Sequence, residues 1–304
     1  MRERNRSAVV LSSYNGEKYI IQQLDSIRCQ TVSPDEVIIT DDCSTDKTYE
    51  IISDYIKQYE LSNWRLTQNE KNKGWKKSFY DLIDNCDADL IFPCDQDDIW
   101  DTKKIETMLP YFNDSSINLL ASNFTLEKGN LTSNFNPLKS IKLKRHFFDH
   151  KTLYIQYLGC TFCFRKTFFD SIKPYYIEDI AHDAFIYIFS LLTDSFYTID
   201  APLIKHRIHE NNSSNEYIAK FKKIPYFNLT ICDMFEKFLS ENPSVDNPRK
   251  VKTISDIRKW LNARIRFFET KNFLVFCKLF LHLKCYLHFR TYINDFLTIY
   301  LKHE

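Results

Sequence analysis

The chain has 304 residues, 44% of them apolar and 27% charged, with a formal net charge of +1. Those values exclude a disordered chain, fit one large domain or one domain with an appendage, and give no electrostatic case for nucleic acid as a partner. Nine cysteines without a paired framework point to reduced thiols in a cytosol, and no apolar run reaches the roughly 18 residues of a membrane span. Residues 1–7 are basic but run straight into strand-like sequence, so no secretory leader is expected.

The first 125 residues alternate short apolar runs with helical patterns. Residues 8–11 read as a strand, and residues 17–28 as a helix with Ile20, Leu24 and Ile27 on one face. Strand 36–40, helix 48–59, the weaker strand 64–67 and helix 75–85 follow. Strand 90–94, helix 101–108 and strand 118–121 continue the same rhythm. This is the signature of βαβ units, hence an α/β fold with a mixed, mainly parallel sheet and helices on both faces. Residues 123–136 read as a polar excursion or hairpin, residues 158–164 as a strand, 182–192 as a helix and 196–199 as another strand. From residue 217 onward the pattern is helical.

In parallel sheets ligands bind beyond the carboxyl ends of the strands. Three polar clusters fall there: Ser12-Ser13-Tyr14-Asn15, Asp41-Asp42-Cys43-Ser44 and Asp95-Gln96-Asp97-Asp98. Three carboxylates in the last cluster repel one another unless a cation joins them, which reads as a site for Mg²⁺ or Mn²⁺ holding a diphosphate. A polar loop capping a helix from Trp100 onward, with Asp98 as N-cap, is the plainer alternative. With glycine only at positions 16, 74, 129 and 159, neither GxGxxG nor a P-loop occurs, so side chains and metal must hold the ligand. Cys160-Thr161-Phe162-Cys163 is formally a CxxC, but inside a strand it reads as core.

Taken together, Ser13-Tyr14-Asn15-Gly16-Glu17-Lys18-Tyr19, Asp41-Asp42-Cys43-Ser44-Thr45-Asp46-Lys47-Thr48, Asn72-Lys73-Gly74 and Asp95-Gln96-Asp97-Asp98-Ile99-Trp100 resemble the successive motifs of family 2 glycosyltransferases of GT-A fold, in order and spacing. The bacterial polysaccharide rhamnosyltransferase-type branch is the nearest likeness. Further along, Gly159-Cys160-Thr161 is similar to a G-x-T element, His182-Asp183 to the HDWW block, and Arg207, His209 and Asn212 to a Y-R-x-H-x-x-N block. Two departures occur: Ala184-Phe185 replaces the aromatic pair, and His206 stands where tyrosine is usual.

The resemblance implies a GT-A catalytic domain over 1–215, with a nucleotide-binding half 1–125 and an acceptor half 126–215, plus a helical C-terminal region 216–304. It implies inverting, metal-dependent transfer from dTDP-rhamnose or a UDP-hexose to a surface polysaccharide, such as an O-antigen or capsule, or its lipid-linked precursor. Ser13, Tyr14, Asn15, Glu17, Asp41, Asp42, Gly74, Asp95, Gln96 and Arg207 would grip the donor. Asp41 or Asp42 would accept from a pyrimidine N3–H and Tyr14 would lie along the base. Asp95, Asp97, Asp98 and His209 would hold Mn²⁺ or Mg²⁺, and Asp183 would be the general base.

Between residues 273 and 300, Phe, Leu and Tyr interleave with Lys278, Lys284 and Arg290, a candidate for contact with a membrane surface or a second copy in a homodimer. The protein is accordingly expected in the cytoplasm or at the inner face of the cell membrane. A nucleotidyltransferase, or a glycan- or membrane-binding module with a dead site, are the alternative readings.

Overall fold

A computed structural model describes residues 5–128, 131, 134–136, 140–178, 180–208 and 224–300. The chain forms two compact units, the first comprising residues 1–146, 157–190 and 195–209. Its opening follows the sequence pattern closely. β1 (Ser7–Ser13), α1 (Ile20–Arg28), β2 (Glu36–Asp41), α2 (Thr48–Gln58), β3 (Trp64–Gln68), α3 (Trp75–Asp84) and β4 (Leu90–Cys94) alternate as βαβ units. Ala8, Val9, Val10 and Leu11 are fully buried, as are Leu90, Ile91 and Phe92, because both faces of these central strands are covered.

β5 (Ile99–Trp100), α4 (Lys104–Met108), β6 (Leu119–Lys128), β7 (Leu143–His146), β8 (Phe162–Arg165), α5 (Lys166–Ile172), α6 (His182–Leu192) and β9 (Phe196–Ile208) complete this part of the chain. The nine described strands make one mixed sheet in the order β3-β2-β1-β4-β8-β6-β9-β5, with β7 on β9. β1, β2, β3 and β4 are mutually parallel, with Ser13 opposite Asp41 and Leu11 opposite Cys94. The ends of β1, β2 and β4 therefore open on one edge. β8 pairs antiparallel with Leu90 and Ile91 only. Pro93, which has no N–H to give a neighbour, lies beyond that pairing.

Four elements differ from the sequence pattern. Ile99 and Trp100 do not begin a helix but pair antiparallel with Lys205 and Ile204 of β9, so Asp98 caps no helix there. β9 runs thirteen residues, well past Ile199, through Asp200-Ala201-Pro202. Pro202 is tolerated because it faces Asn123 at a register shift between β6 and β9, where ladder bonding is already interrupted. Residues 123–128 accordingly extend β6 instead of forming a separate hairpin, and Gly159–Thr161 is a 3-10 turn leading into β8.

The second unit contains residues 147–156, 191–194 and the C-terminal helices α7 (Ile224–Glu241), α8 (Pro248–Thr270), α9 (Phe273–Leu279) and α10 (Phe289–Tyr300). At its centre Arg264 makes a bidentate pair with Asp295, Nε to Oδ2 at 2.8 Å and Nη2 to Oδ1 at 2.7 Å. The Tyr286 hydroxyl also donates to Asp295 at 2.6 Å. Trp260 and Tyr286 pack edge-to-face beside this buried pair.

Candidate active site

The three polar clusters meet at the shared strand edge, and most of their polar atoms are used to build it. Asp41 is fully buried at the end of β2. Its carboxylate accepts from the Ser44 hydroxyl at 2.6 Å, the Ser44 amide at 2.8 Å, Gln68 Nε2 at 3.2 Å and the Ser13 hydroxyl at 3.3 Å. Asp42 accepts from Asn69 Nδ2 and the backbone amides of Lys73 and Gly74, at 2.7, 2.9 and 2.8 Å. It thereby fixes the turn into α3, whose first flanking residue Gly74 has φ +82°, a conformation that favours glycine.

The loop after β1 is stitched to the loop after β2. Asn15 Oδ1 accepts from the Thr45 amide at 2.8 Å, and the Asn15 amide donates to the Ser44 hydroxyl at 2.9 Å. Glu17 accepts from the Lys47 amide at 3.1 Å, and the Gly16 amide donates to Thr48 Oγ1 at 2.8 Å. Gln96 grips the same loop from the other side, accepting from the Tyr14 amide and donating to its carbonyl at 2.9 and 3.0 Å. A Cβ on Gly16 would come within 2.3 Å of Gln96 Oε1, so only glycine allows that approach. Tyr14 keeps 44% of its surface exposed, its ring available to a flat ligand.

Beyond β4, Asp95 and Asp97 remain partly exposed while Asp98 turns inward and is fully buried. Burial, with Asp98 and Asp97 alongside, pushes the Asp95 carboxyl up to about 8. Asp183 is near enough to add to that repulsion. Asp98 Oδ1 bonds His206 Nδ1 at 2.8 Å and accepts from the Arg207 amide at 3.2 Å. Its Oδ2 is buried with no hydrogen-bond partner among the described residues. Burial alone would lower the His206 imidazole, but Asp98, Asp95 and Asp97 outweigh it and raise the group to about 9. Crowded, under-neutralised carboxylates with one orphaned buried oxygen are a donor set that fits a divalent cation.

One donor candidate, Arg207, is placed differently from the sequence expectation. Arg207 is not poised over a diphosphate: it is 1% exposed, its Nε donates to the Asp97 carbonyl at 2.9 Å, and its Nη2 donates to Gln22 at 2.7 Å. The guanidinium also lies over the Tyr19 ring, 4.4 Å from the centroid. It sets the path of the acidic loop. Asp98 is tied to β9 by its Oδ1, through His206 and the Arg207 amide, and it also stands with Asp95, Cys160 and His206 in a cluster whose ligand atoms lie within 4.8 Å of one another. His209 and Asn212 lie outside the described residues.

Asp183 sits in the first turn of α6, its Oδ1 accepting from the Ala184 amide at 2.7 Å. The 3-10 turn at Gly159 packs on it so closely that a Cβ there would lie 2.8 Å from Asp183 Cβ. Its neighbour His182 is buried and stacked on Phe79 at 4.4 Å, and burial pushes its imidazole below the ordinary value.

One further polar residue of the site escaped the sequence reading. Lys104 is fully buried, 3.3 Å from the centroid of Trp100, and donates to the Cys160 carbonyl at 2.7 Å. Burial lowers its ammonium to about 8. The signal was present: Trp100, Lys104 and Met108 recur at four-residue spacing, which puts the lysine on an apolar stripe.

The parallel strands of a mixed sheet thus end in an acidic loop, near a carboxylate of α6 and an exposed tyrosine on the first loop, an arrangement able to hold an anionic ligand through a cation. Residues 8–175 match the model of Glycosyl transferase family 2. The chain is 31% identical over 229 residues to the dTDP-rhamnosyl transferase RfbG of Shigella flexneri, covering 70% of this chain and 78% of that one. Among solved structures, the Staphylococcus aureus TarS fragment 1–349 with UDP-GlcNAc aligns over 97% of this chain and 90% of its own, with TM-score 0.59 and 16% identity. The mannosyltransferase PcManGT of Pyrobaculum calidifontis, with GDP-Man and Mn²⁺, aligns over 98% and 86% with TM-score 0.59 and 14% identity. The chain belongs to glycosyltransferase family 2. It is a glycosyltransferase of GT-A fold, which sets aside the nucleotidyltransferase and binding-module readings.

Proposed function

We propose that the chain performs an inverting, metal-dependent transfer from a pyrimidine nucleotide sugar, dTDP-rhamnose or a UDP-hexose, to a hydroxyl of a surface polysaccharide or its lipid-linked precursor. Catalysis is assigned to residues 1–215. What supports this reading is the crowding of Asp95, Asp97 and Asp98 at the end of β4, with Asp183 of α6 near enough to Asp95 to add to that repulsion. Asp95 and Asp97 would hold Mn²⁺ or Mg²⁺, which supplies charge to neutralise the departing diphosphate.

The protein groups do the rest. Tyr14 lies along the base, and the Asp41 loop supplies the polar wall that meets its edge. Asp183 takes the proton of the acceptor hydroxyl as that oxygen forms its bond to the anomeric carbon. The bond from that carbon to the diphosphate oxygen breaks on the opposite face, inverting the centre. Arg207 keeps the Asp97 backbone in register, and Gly159, lacking a Cβ, leaves room for the Asp183 side chain beside its turn. Titration calorimetry with UDP, dTDP and GDP, each with and without Mn²⁺, tests the donor assignment. Metal-dependent binding of UDP or dTDP supports it; binding of GDP alone, or of none, overturns it.

We further propose that the α9–α10 segment, in the C-terminal region 216–304, meets an anionic lipid surface at the inner face of the membrane. Residues 271–294 contain no Asp or Glu but carry Lys271, Lys278, Lys284 and Arg290. Phe273, Leu274, Phe280, Leu281 and Phe289 are each more than half exposed. No helix of the described residues is long and apolar enough to cross a membrane, so contact would be peripheral. Co-sedimentation with phosphatidylglycerol vesicles, lost in Phe280→Ser/Leu281→Ser, supports this. Equal binding to neutral vesicles, or a concentration-dependent dimer that hides the same residues, overturns it.

A further inference from the structure

We propose that the acidic loop is completed by a thiol: Asp95, Asp98, Cys160 and His206 form a binding site for a thiophilic divalent cation of the Zn²⁺ type. One ligand atom from each of the four lies within 4.8 Å of all the others. They come from three separate places in the fold: the loop after β4, the 3-10 turn at Gly159–Thr161, and the end of β9. Ligand atoms around one tetrahedral zinc stand about 3.5 Å apart, so the widest pair needs to close by only about 1 Å. The donor set is two oxygens, one sulfur and one nitrogen. That is a zinc or cobalt set, whereas Mg²⁺ and Mn²⁺ prefer oxygen alone.

A second observation points into the same space. Asp98 is fully buried, yet its Oδ2 has no hydrogen-bond partner among the described residues. A buried carboxylate oxygen left without a partner costs stability unless something fills the position. Cys160, on the 3-10 turn, belongs to the cluster and Cys163, in β8, does not, although both are buried in the core; the CxxC spacing is incidental. As the metal bonds form, the Cys160 thiol, the Asp95 carboxyl and the His206 imidazolium each give up a proton to solvent, and the His206–Asp98 bond is exchanged for bonds to the ion. Lys104 holds the Cys160 carbonyl, fixing the turn that presents the sulfur.

The consequence is competition. A thiophilic ion seated here takes Asp95 away from the hard cation of the transfer reaction, so Zn²⁺ would inhibit instead of substitute. The inference rests on reading the acidic loop as a cation site, but its failure is separable from the failure of the donor assignment.

The test is Co²⁺ titration of the purified full chain without nucleotide, followed by near-ultraviolet absorption. One equivalent should raise a thiolate-to-cobalt charge-transfer band, and one equivalent of Zn²⁺ should remove it. Cys160→Ser should abolish the band and weaken Zn²⁺ binding about 10- to 100-fold. Cys163→Ser, outside the cluster, should keep it. Should Cys160→Ser fail to fold, His206→Gln, which removes the imidazole donor, serves instead and should lose at least tenfold in Zn²⁺ affinity. No band in the wild type, or a band that survives in Cys160→Ser, overturns the proposal. Mn²⁺-dependent nucleotide binding, measured on the same wild-type protein, reports separately on the donor site.

Discussion

Asp183→Asn separates a catalytic base from a helix-terminal residue, because the two roles respond oppositely to that change. The wild-type side chain accepts from the Ala184 amide at 2.7 Å. Asn keeps an acceptor oxygen in the same place and serves helix N-termini about as well as Asp, so stability should hold within about 0.5 kcal/mol. The isosteric amide also fits against Gly159, where the closest approach is to Asp183 Cβ. What Asn cannot do is take a proton. A positioned general base contributes about 10²- to 10⁴-fold, so kcat should fall by that factor, equivalent to about 3–5 kcal/mol of barrier. Nucleotide affinity should change by less than about twofold, since loss of the base leaves diphosphate binding in place. Asp183→Ala, by contrast, loses the acceptor and should cost about 1 kcal/mol of stability besides. The assay is nucleoside diphosphate release on the donor found by calorimetry, with thermal melts alongside. An Asp183→Asn enzyme that turns over at the wild-type rate would refute the assignment, as would a drop in nucleotide affinity matching the drop in kcat.

Gly159→Ala puts a methyl 2.8 Å from Asp183 Cβ and must displace one of the two; kcat should fall by up to about 10²-fold with little change in KM, and an unchanged kcat would remove Gly159 from the positioning argument. Because Asp95 holds its proton up to about 8, cation binding between the ordinary carboxylate range and that value should release a proton and tighten as pH rises; calorimetry in buffers of different ionisation enthalpy reads the release. His206 is raised to about 9, so its pairing with Asp98 is fully present below the unfolded value of about 6.5 and is lost as pH climbs through 9. Urea melts should therefore lose stability over that alkaline window in the wild type and not in His206→Gln. Asp295→Ala leaves Arg264 buried without its partner and should cost about 3–5 kcal/mol by chemical denaturation, while Asp295→Asn should cost less; equal wild-type midpoints would show the pair to be dispensable.

How far the fold was legible depended on how locally each element is specified. β1 and β4 are buried on both faces and so appear as unbroken apolar runs, and α1 displays its Ile20–Leu24–Ile27 stripe whatever surrounds it. β5 was illegible for the opposite reason. Ile99 and Trp100 are a strand only because β9, a hundred residues later, lies beside them, and nothing within their own window favours extension over a helix. The same distant pairing hid the reach of β9, since Pro202 breaks the local pattern and is accommodated only by the register shift opposite Asn123. β7, exposed along most of its length, carries no apolar signal at all.

The site was legible in identity and much less so in role. Residue type and spacing located the three clusters, but a carboxylate that holds a ligand and one that holds its own loop look alike in sequence. The glycine count resolves part of that ambiguity after the fact. With glycine at only four positions, the backbone here cannot wrap an anion by conformational freedom alone. The loops must be held in shape by side chains, and Asp41, Asp42, Asn15, Glu17, Gln96 and Arg207 do that through the backbone and side-chain bonds they make. Asp95, Asp97 and Asp183 are still partly open to solvent and the Tyr14 ring is exposed, so under the proposed function these are the groups that would meet a substrate. Substitutions in the first set should lower stability and donor affinity together, because removing a loop's scaffold disorders the loop before the ligand arrives. Substitutions in the second set should lower turnover in a protein that melts like the wild type. The division follows from where each hydrogen bond goes, which sequence spacing does not encode.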